Sequence, residues 1–305
     1  MLQSYFTGVA AIALEPQNPS SYKAVFPLNG EPVSAAATGD LSREHSADEL
    51  DSNPRYSVHP FHSEILPDDR KVSVYLPPQY LEQEDRHFPV FYLHDGQNLF
   101  DGRTSYIAGK TWNAHTTADR LTAAGEIEPV ILVGVANTGL RRMAEYTPMR
   151  DYKMGGGEGQ SYGRLLMEEL KPWIDRSYRT RPSAEDTALG GSSLGGLISL
   201  YLGFEHPEAF GKIAVMSPSL WWDHRSIFTV INERETTPKL RIWLDIGTAE
   251  GARHVRDAEL LKRLLVERGW EIGVDLAYEE AEGAVHDELA WSNRFGEVLR
   301  FLFPA

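Results

Sequence analysis

The sequence predicts an α/β fold with a mostly parallel, doubly wound sheet and antiparallel strands at its N-terminal side. The segments YSVHPFHSEIL and RKVSVYLPP flank the turn residues PDD, which indicates a hairpin. Six later runs are short and several are nearly all apolar, which is typical of strands covered on both faces. Segments with apolar residues at spacings of three and four alternate with those runs and indicate helices. Strands that alternate with helices form parallel sheets.

The strand-like runs and the helical segments can be placed in order along the chain. The strand-like runs are FPVFYLHDG, EPVILVGVANT, DTALGGSS, KIAVMSPSLWW, KLRIWLDIGT and EIGVDLAYEE. The helical segments are YGRLLMEELKPWIDRSY, LGGLISLYLGFEH, RHVRDAELLKRLLVERG and DELAWSNRFGEVLRFLF. Residues 1–55 differ because they are irregular and rich in Pro, Ser, Ala and Asn. We predict one α/β domain over 56–305, preceded by an irregular extension over 1–55 that is a lid, an edge extension or partly disordered.

Composition excludes several classes of partner. The 305 residues carry a formal net charge of −14, whereas nucleic acids and anionic membranes require a basic face. The chain has no cysteine, and therefore no disulfide, thiolate nucleophile or cysteine-ligated zinc. No Lys or Arg precedes the apolar start MLQSYFTGVAAIALEP, so we expect no signal peptide. We predict a soluble, cytoplasmic protein that acts on a small molecule.

The segment ALGGSSLGGLIS at 188–199 holds four glycines and three serines. Gly191, Ser193 and Gly195 form the pattern G-x-S-x-G between a predicted strand and a predicted helix. At such a turn the serine is strained and its hydroxyl projects above the sheet, while the glycines leave room for neighbouring chain. The alternative is a glycine-rich turn before an ordinary helix. We predict Ser193 as a nucleophile.

A nucleophilic serine needs a general base, and four histidines follow it. His206 precedes a proline at a helix end, His224 lies in a loop, and His254 lies on a charged helix. His286 lies between the last predicted strand and the last helix, where a base can reach the carboxyl edge of the sheet. We therefore favour His286.

The base in turn needs a carboxylate that orients it. Glu250 lies in the loop after the strand RIWLDIG, whereas Asp245 is expected within that strand. We favour Glu250, and Asp245 remains the alternative.

Two backbone N–H groups are expected to bind the oxyanion. One belongs to Leu194, which follows the nucleophile, and the other to Gln97, because Gly96 permits a close approach. His94 and Asp95 also invite a metal-site interpretation. No further ligands follow at a suitable spacing, so we expect them to shape the turn and predict no metal.

Several motifs together resemble the putative esterase family of α/β-hydrolases. This family includes enterochelin esterase-like trilactone hydrolases, esterase D, feruloyl and acetyl xylan esterases, and the mycolyltransferases. The resemblance covers about residues 56–304 and rests on VSVYLPPQY, YLHDGQNLFD, GVANTGLRRMAEYTP, LMEELKPWIDRSYRT, GGSSLGGLISLYLGFEHPEAFGKIAVMSPSLWW, DIGTAEG and HDELAW. It implies the α/β-hydrolase fold, with Ser193 as nucleophile and His286 as base. Glu250 stands three positions after Gly247, as the acid does after its glycine in esterase D.

These observations predict a serine carboxylic-ester hydrolase that needs no cofactor and works through an acyl-enzyme. We expect small or medium esters, with short acyl, acetylated-sugar or aromatic esters favoured. Alternatives are a siderophore trilactone esterase, or an acyltransferase to an alcohol or sugar. The intact set of nucleophile, base and acid argues against a binding module without activity.

Two features bear on substrate choice. Trp221, Trp222 and Trp291 are expected next to the predicted site and form either a pocket wall or part of the core. The basic segment GLRRMAEYTPMR follows a strand whose end lies at the same edge as Ser193, so Arg142 is a candidate for binding anionic substrate. The alternative is that its arginines pair with Glu145 and Asp151.

Overall fold

The computed structural model describes residues 50–305, which form a single eight-stranded sheet covered by helices on both faces. The strand order is β1-β2-β4-β3-β5-β6-β7-β8. The strands are β1 (Tyr56–Phe61), β2 (Arg70–Tyr75), β3 (Val90–His94), β4 (Ile131–Val135), β5 (Thr187–Ser192), β6 (Lys212–Met216), β7 (Arg241–Gly247) and β8 (Leu276–Ala281).

The pairing confirms the predicted fold class. β1 and β2 form the antiparallel hairpin, with Tyr56 opposite Tyr75, and β2 pairs antiparallel with β4. All other pairs, from β4 to β8, are parallel. After β3 the chain adds β4 on one side of that strand and β5 on the other, so the order reverses beside β3. Ligand sites in such sheets lie at the carboxyl ends of the strands where this reversal occurs.

Helices connect the strands. They are α1 (Gln79–Glu82), α2 (Ala114–Ala123), α3 (Arg142–Glu145), α4 (Gly159–Arg164), α5 (Lys171–Ser177), α6 (Leu194–Glu205), α7 (Ser226–Asn232), α8 (Ala252–Glu267) and α9 (Glu288–Leu302). A π-helical turn over Leu165–Leu170 joins α4 to α5. The segments predicted as helical correspond to α4 with α5, α6, α8 and α9.

Helix α2 lies outside the four segments predicted to be helical from the sequence. Its buried face consists of Ala114, His115, Ala118 and Leu121. Two of these residues are small and one is polar, so the apolar pattern is weak although the spacing is helical.

The core forms two layers, one on each face of the sheet. In β3, Val90 and Tyr92 face the layer under α4 to α8, whereas Phe91 and Leu93 face the layer under α2 and α9. This alternation follows from the two-residue period of a strand, and it explains why β3 is apolar at every position but the last.

The extension expected over 1–55 lies, apart from residues 50–55, outside the described part of the chain. Within 50–305 no helix has the length and apolar character needed to cross a membrane.

Candidate active site

Ser193 lies in a sharp turn between β5 and α6. Its φ of 59° and ψ of −120° are strained for any residue other than glycine. The turn is held at both ends, because the Ser193 N–H donates to Met216 O at 3.0 Å and the Ser219 N–H donates to Ser193 O at 3.0 Å. The segment after β6 therefore fixes the position of the serine.

The glycines around this turn allow the backbone to approach its neighbours. A Cβ atom on Gly191 would lie 3.0 Å from the Cβ of His94, and one on Gly195 would lie 3.2 Å from the same atom. A Cβ on Gly196 would lie 2.9 Å from Met216 O. The high glycine content at 188–199 thus reflects close packing rather than a loose loop.

Glu250 and His286 form a hydrogen-bonded pair beside this turn. Glu250 Oε2 lies 2.6 Å from His286 Nδ1, and the Glu250 side chain is only 2% exposed. Its Oε1 accepts hydrogen bonds from Ser217 Oγ at 2.6 Å and from the Gly247 N–H at 2.8 Å. Burial opposes ionisation, but the hydrogen bonds from His286 and Ser217 outweigh it and lower the pKa of Glu250.

Asp245 has different partners. It lies within β7, as expected from the sequence, and is fully buried. Its carboxylate accepts from Trp243 Nε1 at 2.8 Å and from Arg294 Nη2 at 2.9 Å. Burial raises its pKa, and Arg294 acts in the opposite direction. The carboxylate that contacts His286 is therefore that of Glu250.

A cavity of about 240 Å³ brings the predicted residues together. It is lined by Ser193, Ser217, Pro218, Ser219, Trp221, Glu250, His254 and His286. The Ser193 hydroxyl lies 3.3 Å from Ser219 Oγ. One cavity thus contains a serine hydroxyl, an imidazole and a buried carboxylate.

The loop after β3 lies beside the turn at Ser193. Asp95 has a φ of 55°, and a 3₁₀ turn over Gly96–Asn98 follows it. The first hydrogen bond of that turn runs from the Asn98 N–H to Asp95 O. The Gln97 N–H lies one residue earlier and is therefore not used by the turn. Leu194 is the first residue of α6, where the N–H has no acceptor within the helix. Both N–H groups are thus free of their own helical hydrogen bonds.

Asp95 and His94 are held by protein partners. Asp95 accepts from Arg142 Nε at 2.7 Å, from Arg142 Nη2 at 2.8 Å and from Asn137 Nδ2 at 2.6 Å. Burial opposes the charge on Asp95, but Arg142 outweighs it and lowers the pKa. His94 Nδ1 lies 2.9 Å from Tyr162 Oη, and burial lowers the pKa of His94 to about 3. The part of the chain that the structure describes contains no cluster of three metal-ligating side chains.

The three tryptophans have different positions. Trp221 lines the cavity. Trp222 is buried in the core, and its indole N–H donates to Met149 O at 2.7 Å. Trp291 is also buried, packs edge-on against His286 with ring centres 4.9 Å apart, and donates to Ser217 Oγ at 3.0 Å. Trp222 and Trp291 thus pack in the core, which was one of the two alternatives, and neither is among the residues that line the cavity.

Arg141 and Arg142 pair with carboxylates other than Glu145 and Asp151, so the alternative named for the basic segment is wrong for these two arginines. Arg142 pairs with Asp95, and Glu145 instead forms a fully buried ion pair with Arg70 at 3.1 Å. Arg141 pairs with Asp68 and Glu158. Arg142 thus lies beside the loop that carries Gln97 and is not among the residues that line the cavity.

Sequence reasoning missed three residues in or beside the site, Ser217, Ser219 and Arg294, and considered His254 only as a base, although it lines the cavity. Ser217 and Ser219 follow β6, whose carboxyl end lies next to that of β5. Site residues lie at the carboxyl ends of parallel strands, and this rule, which placed Ser193, could also have identified both serines. Arg294 lies on α9 and reaches the site only through packing, so the sequence carries no signal for it.

The comparisons with known proteins agree with this architecture. The model of a family described as "Putative esterase" matches residues 63–302. The chain belongs to this family of α/β-hydrolases, and ester hydrolysis is the activity that membership assigns to it.

Two relatives with described activities match most of the chain. An endo-1,4-beta-xylanase/feruloyl esterase of Xylanibacter ruminicola is 27% identical over 253 residues, which cover 80% of this chain and 30% of that protein. An iron(III) enterobactin esterase of Dickeya dadantii is 25% identical over 260 residues, or 81% of this chain and 55% of that protein. The crystal structure of the BES protein from Bacillus cereus superimposes with a TM-score of 0.67 at 22% identity, covering 83% of this chain and 97% of that one, and supports the fold.

Proposed function

We propose that this protein hydrolyses carboxylic esters through an acyl-enzyme formed on Ser193, with His286 as general base and Glu250 as the carboxylate that orients it. The observation that carries the proposal is the 2.6 Å contact between Glu250 and His286 in the cavity that also contains the strained Ser193. Removal of the Ser193 hydroxyl is the decisive experiment, and its expected result is given in the Discussion.

The hydrogen bond between Glu250 and His286 determines which imidazole nitrogen acts as base. A carboxylate only accepts, so His286 Nδ1 carries the proton and Nε2 keeps its lone pair. In the free enzyme the Ser193 hydroxyl contacts Ser219. It turns to His286 Nε2 when the substrate binds, as catalytic hydrogen bonds often form only in the complex.

The reaction then follows in two halves. Ser193 Oγ attacks the ester carbonyl while its proton passes to His286, and the tetrahedral intermediate collapses as His286 returns the proton to the departing alcohol. Water attacks the acyl-enzyme with His286 again as base, which releases the acid and restores Ser193. The N–H groups of Gln97 and Leu194 bind the oxyanion in both halves.

A Gly96→Ala substitution should lower kcat about 100-fold with little change in KM, because it displaces one oxyanion donor. The added Cβ would lie 2.4 Å from the carbonyl carbon of Gly134, so the loop that carries Gln97 has to move. Steady-state kinetics with a chromogenic ester measure the effect. The matched control is Gly296→Ala in α9, where the added Cβ lies 3.5 Å from its nearest neighbour, an ordinary contact. Equal kcat values for both variants would exclude Gln97 as a donor.

We propose small neutral esters, with short acyl, acetylated-sugar or aromatic groups, as the favoured substrates. The cavity is small and has Trp221 at its wall. The guanidinium of Arg142 is already neutralised by Asp95, and the whole chain carries −14. The similarity to an endo-1,4-beta-xylanase/feruloyl esterase supports an aromatic acyl group.

A second candidate is a siderophore trilactone, and the similarity to the iron(III) enterobactin esterase supports it. Such ligands are anionic when they hold iron, and an acidic protein repels them unless a basic group focuses the opposite field. Arg142, which pairs with Asp95 directly before Gly96, is a basic side chain beside the loop of Gln97.

The two candidates differ in how the rate depends on salt. We expect kcat/KM for a neutral ester to exceed that for an anionic ester of the same acyl group, and to change less than about twofold between low and high ionic strength, because no long-range attraction is screened. Arg142→Ala should lower both rates alike, because it frees Asp95 beside the loop of Gln97. Arg141→Ala is the control. A preference for the anionic ester that salt weakens and Arg142→Ala abolishes would select the trilactone.

Acyl transfer uses the same residues and differs in the acceptor. Adding an alcohol or sugar to the esterase assay tests it. Hydrolysis predicts that free acid stays the main product, whereas transfer predicts that the new ester accumulates instead.

A further inference from the structure

We propose that Ser217 is a positioning residue whose hydroxyl holds Glu250 in the place from which it orients His286. This inference rests on the proposed role of Glu250 and deepens it. Ser217 follows β6 and reaches Glu250, Trp291 and Arg294 with a single side-chain oxygen.

The hydrogen-bond partners of Ser217 determine the direction in which its hydroxyl proton points. Its Oγ lies 3.0 Å from Trp291 Nε1 and 2.8 Å from Arg294 Nη2, and both of these groups can only donate. The one proton of the hydroxyl must therefore point at its third partner, Glu250 Oε1, at 2.6 Å. The network needs an accepting carboxylate at that position.

This arrangement fixes both oxygens of Glu250. Oε1 receives the Ser217 hydroxyl and the Gly247 N–H, which leaves Oε2 to His286. Arg294 Nη2 lies 3.9 Å from Oε1 and adds positive charge on the same side. A carboxylate held by two donors on one oxygen cannot rotate away from His286 without losing both hydrogen bonds.

The backbone at Ser217 is strained, and this strained conformation is the one in which its hydroxyl contacts Glu250. Its φ is 41°, in the region that favours glycine, yet the position carries a side chain. Asp245 secures the strained residue, because the Ser217 N–H lies 3.0 Å from Asp245 O and 3.1 Å from Asp245 Oδ1. Asp245 in turn is held by Arg294 and Trp243. The buried Asp245 thus supports Glu250 indirectly.

Ser63 offers a matched control elsewhere in the fold. It too is buried, donates to a glutamate, Glu169, at 2.5 Å, and accepts from two donors, the N–H groups of Ile65 and Leu66. Ser63 precedes β2 by several residues and does not line the cavity. Loss of either hydroxyl therefore costs a similar set of hydrogen bonds, but only one set includes Glu250.

The experiment compares Ser217→Ala, Ser217→Gly and Ser63→Ala with the wild type. We expect both Ser217 variants to lose about 10- to 100-fold in kcat, the worth of a hydrogen bond to a charged group, with KM within about twofold. Labelling of Ser193 by a fluorophosphonate should slow by the same factor. Ser63→Ala should lower the melting temperature about as much as Ser217→Ala while keeping the wild-type kcat. Glycine suits the backbone at 217, so Ser217→Gly serves if Ser217→Ala fails to fold.

The outcomes separate this inference from the proposed function. A wild-type enzyme that the fluorophosphonate does not label at Ser193 overturns the proposed function, and the role of Ser217 with it. Normal labelling in the wild type and in both Ser217 variants overturns only the role of Ser217, as does an equal loss of kcat in Ser63→Ala.

Discussion

Ser193→Ala should lower esterase kcat/KM by about 10³-fold or more while the protein stays folded, because the hydroxyl is the proposed attacking group and contributes little to packing. The hydroxyl makes one hydrogen bond, to Ser219 Oγ at 3.3 Å, and faces the cavity. Activity on a chromogenic short-chain ester and thermal unfolding measure the two effects separately.

Ser193→Gly should be equally inactive yet more stable. Glycine adopts the φ of 59° and ψ of −120° without strain, so the free energy of unfolding should rise by about 1 kcal/mol. A fall in melting temperature would contradict the strain argument.

Ser219→Ala provides the control for the identity of the nucleophile. Its hydroxyl lies in the same cavity, 3.3 Å from that of Ser193. Peptide mapping after treatment with a fluorophosphonate should find the label on Ser193 in this variant and in the wild type. A label on Ser219 or on any other serine would contradict the proposal that Ser193 is the nucleophile.

The fold could be predicted from the sequence because its signals are local. The alternation of strands and helices is visible in short apolar runs, and β3 is apolar at nearly every position because both of its faces are covered. The turn at Ser193 is also local, since five consecutive residues contain both its glycines and its serine. His286 and Glu250 follow from chain order after the last two strands.

The other features of the site could not be predicted, because they depend on contacts between segments that are distant in the sequence. Trp222 and Trp291 are expected beside the site, but contacts with distant segments, such as that of Trp222 with Met149 O, place both indoles in the core. Arg142 selects Asp95, 47 residues away, over the nearby Glu145, because Arg70 already occupies Glu145. A local sequence pattern does not determine with which of two carboxylates an arginine forms an ion pair.

Glu250→Gln is expected to have the second large effect. It should lower kcat by about 10⁴-fold while KM changes little. All three groups around the Glu250 carboxylate donate hydrogen bonds: His286 Nδ1, Ser217 Oγ and the Gly247 N–H. An amide has one acceptor atom, so its oxygen faces the two donors and its NH₂ faces His286. His286 Nδ1 then becomes the acceptor and Nε2 carries the proton, which prevents it from accepting the proton of Ser193.

Asp245→Asn is the matched control, since it also exchanges a buried carboxylate for an amide. Asp245 faces Arg294, so the substitution removes the nearer of the two carboxylates that neutralise this buried guanidinium. We expect a loss of about 3 kcal/mol in the free energy of unfolding and only a modest fall in kcat. The two variants should thus differ in kind: Glu250→Gln loses catalysis and Asp245→Asn loses stability.

Measurement of kcat below the melting temperature of each variant, together with urea unfolding, separates the two effects. If Asp245→Asn loses more kcat than Glu250→Gln, the role of orienting acid passes to Asp245. That result would require His286 to leave a partner 2.6 Å away for a carboxylate that is fully buried and already held by Trp243 and Arg294. Asp245 would have to give up hydrogen bonds to a charged group to make the new contact, so the present geometry favours Glu250.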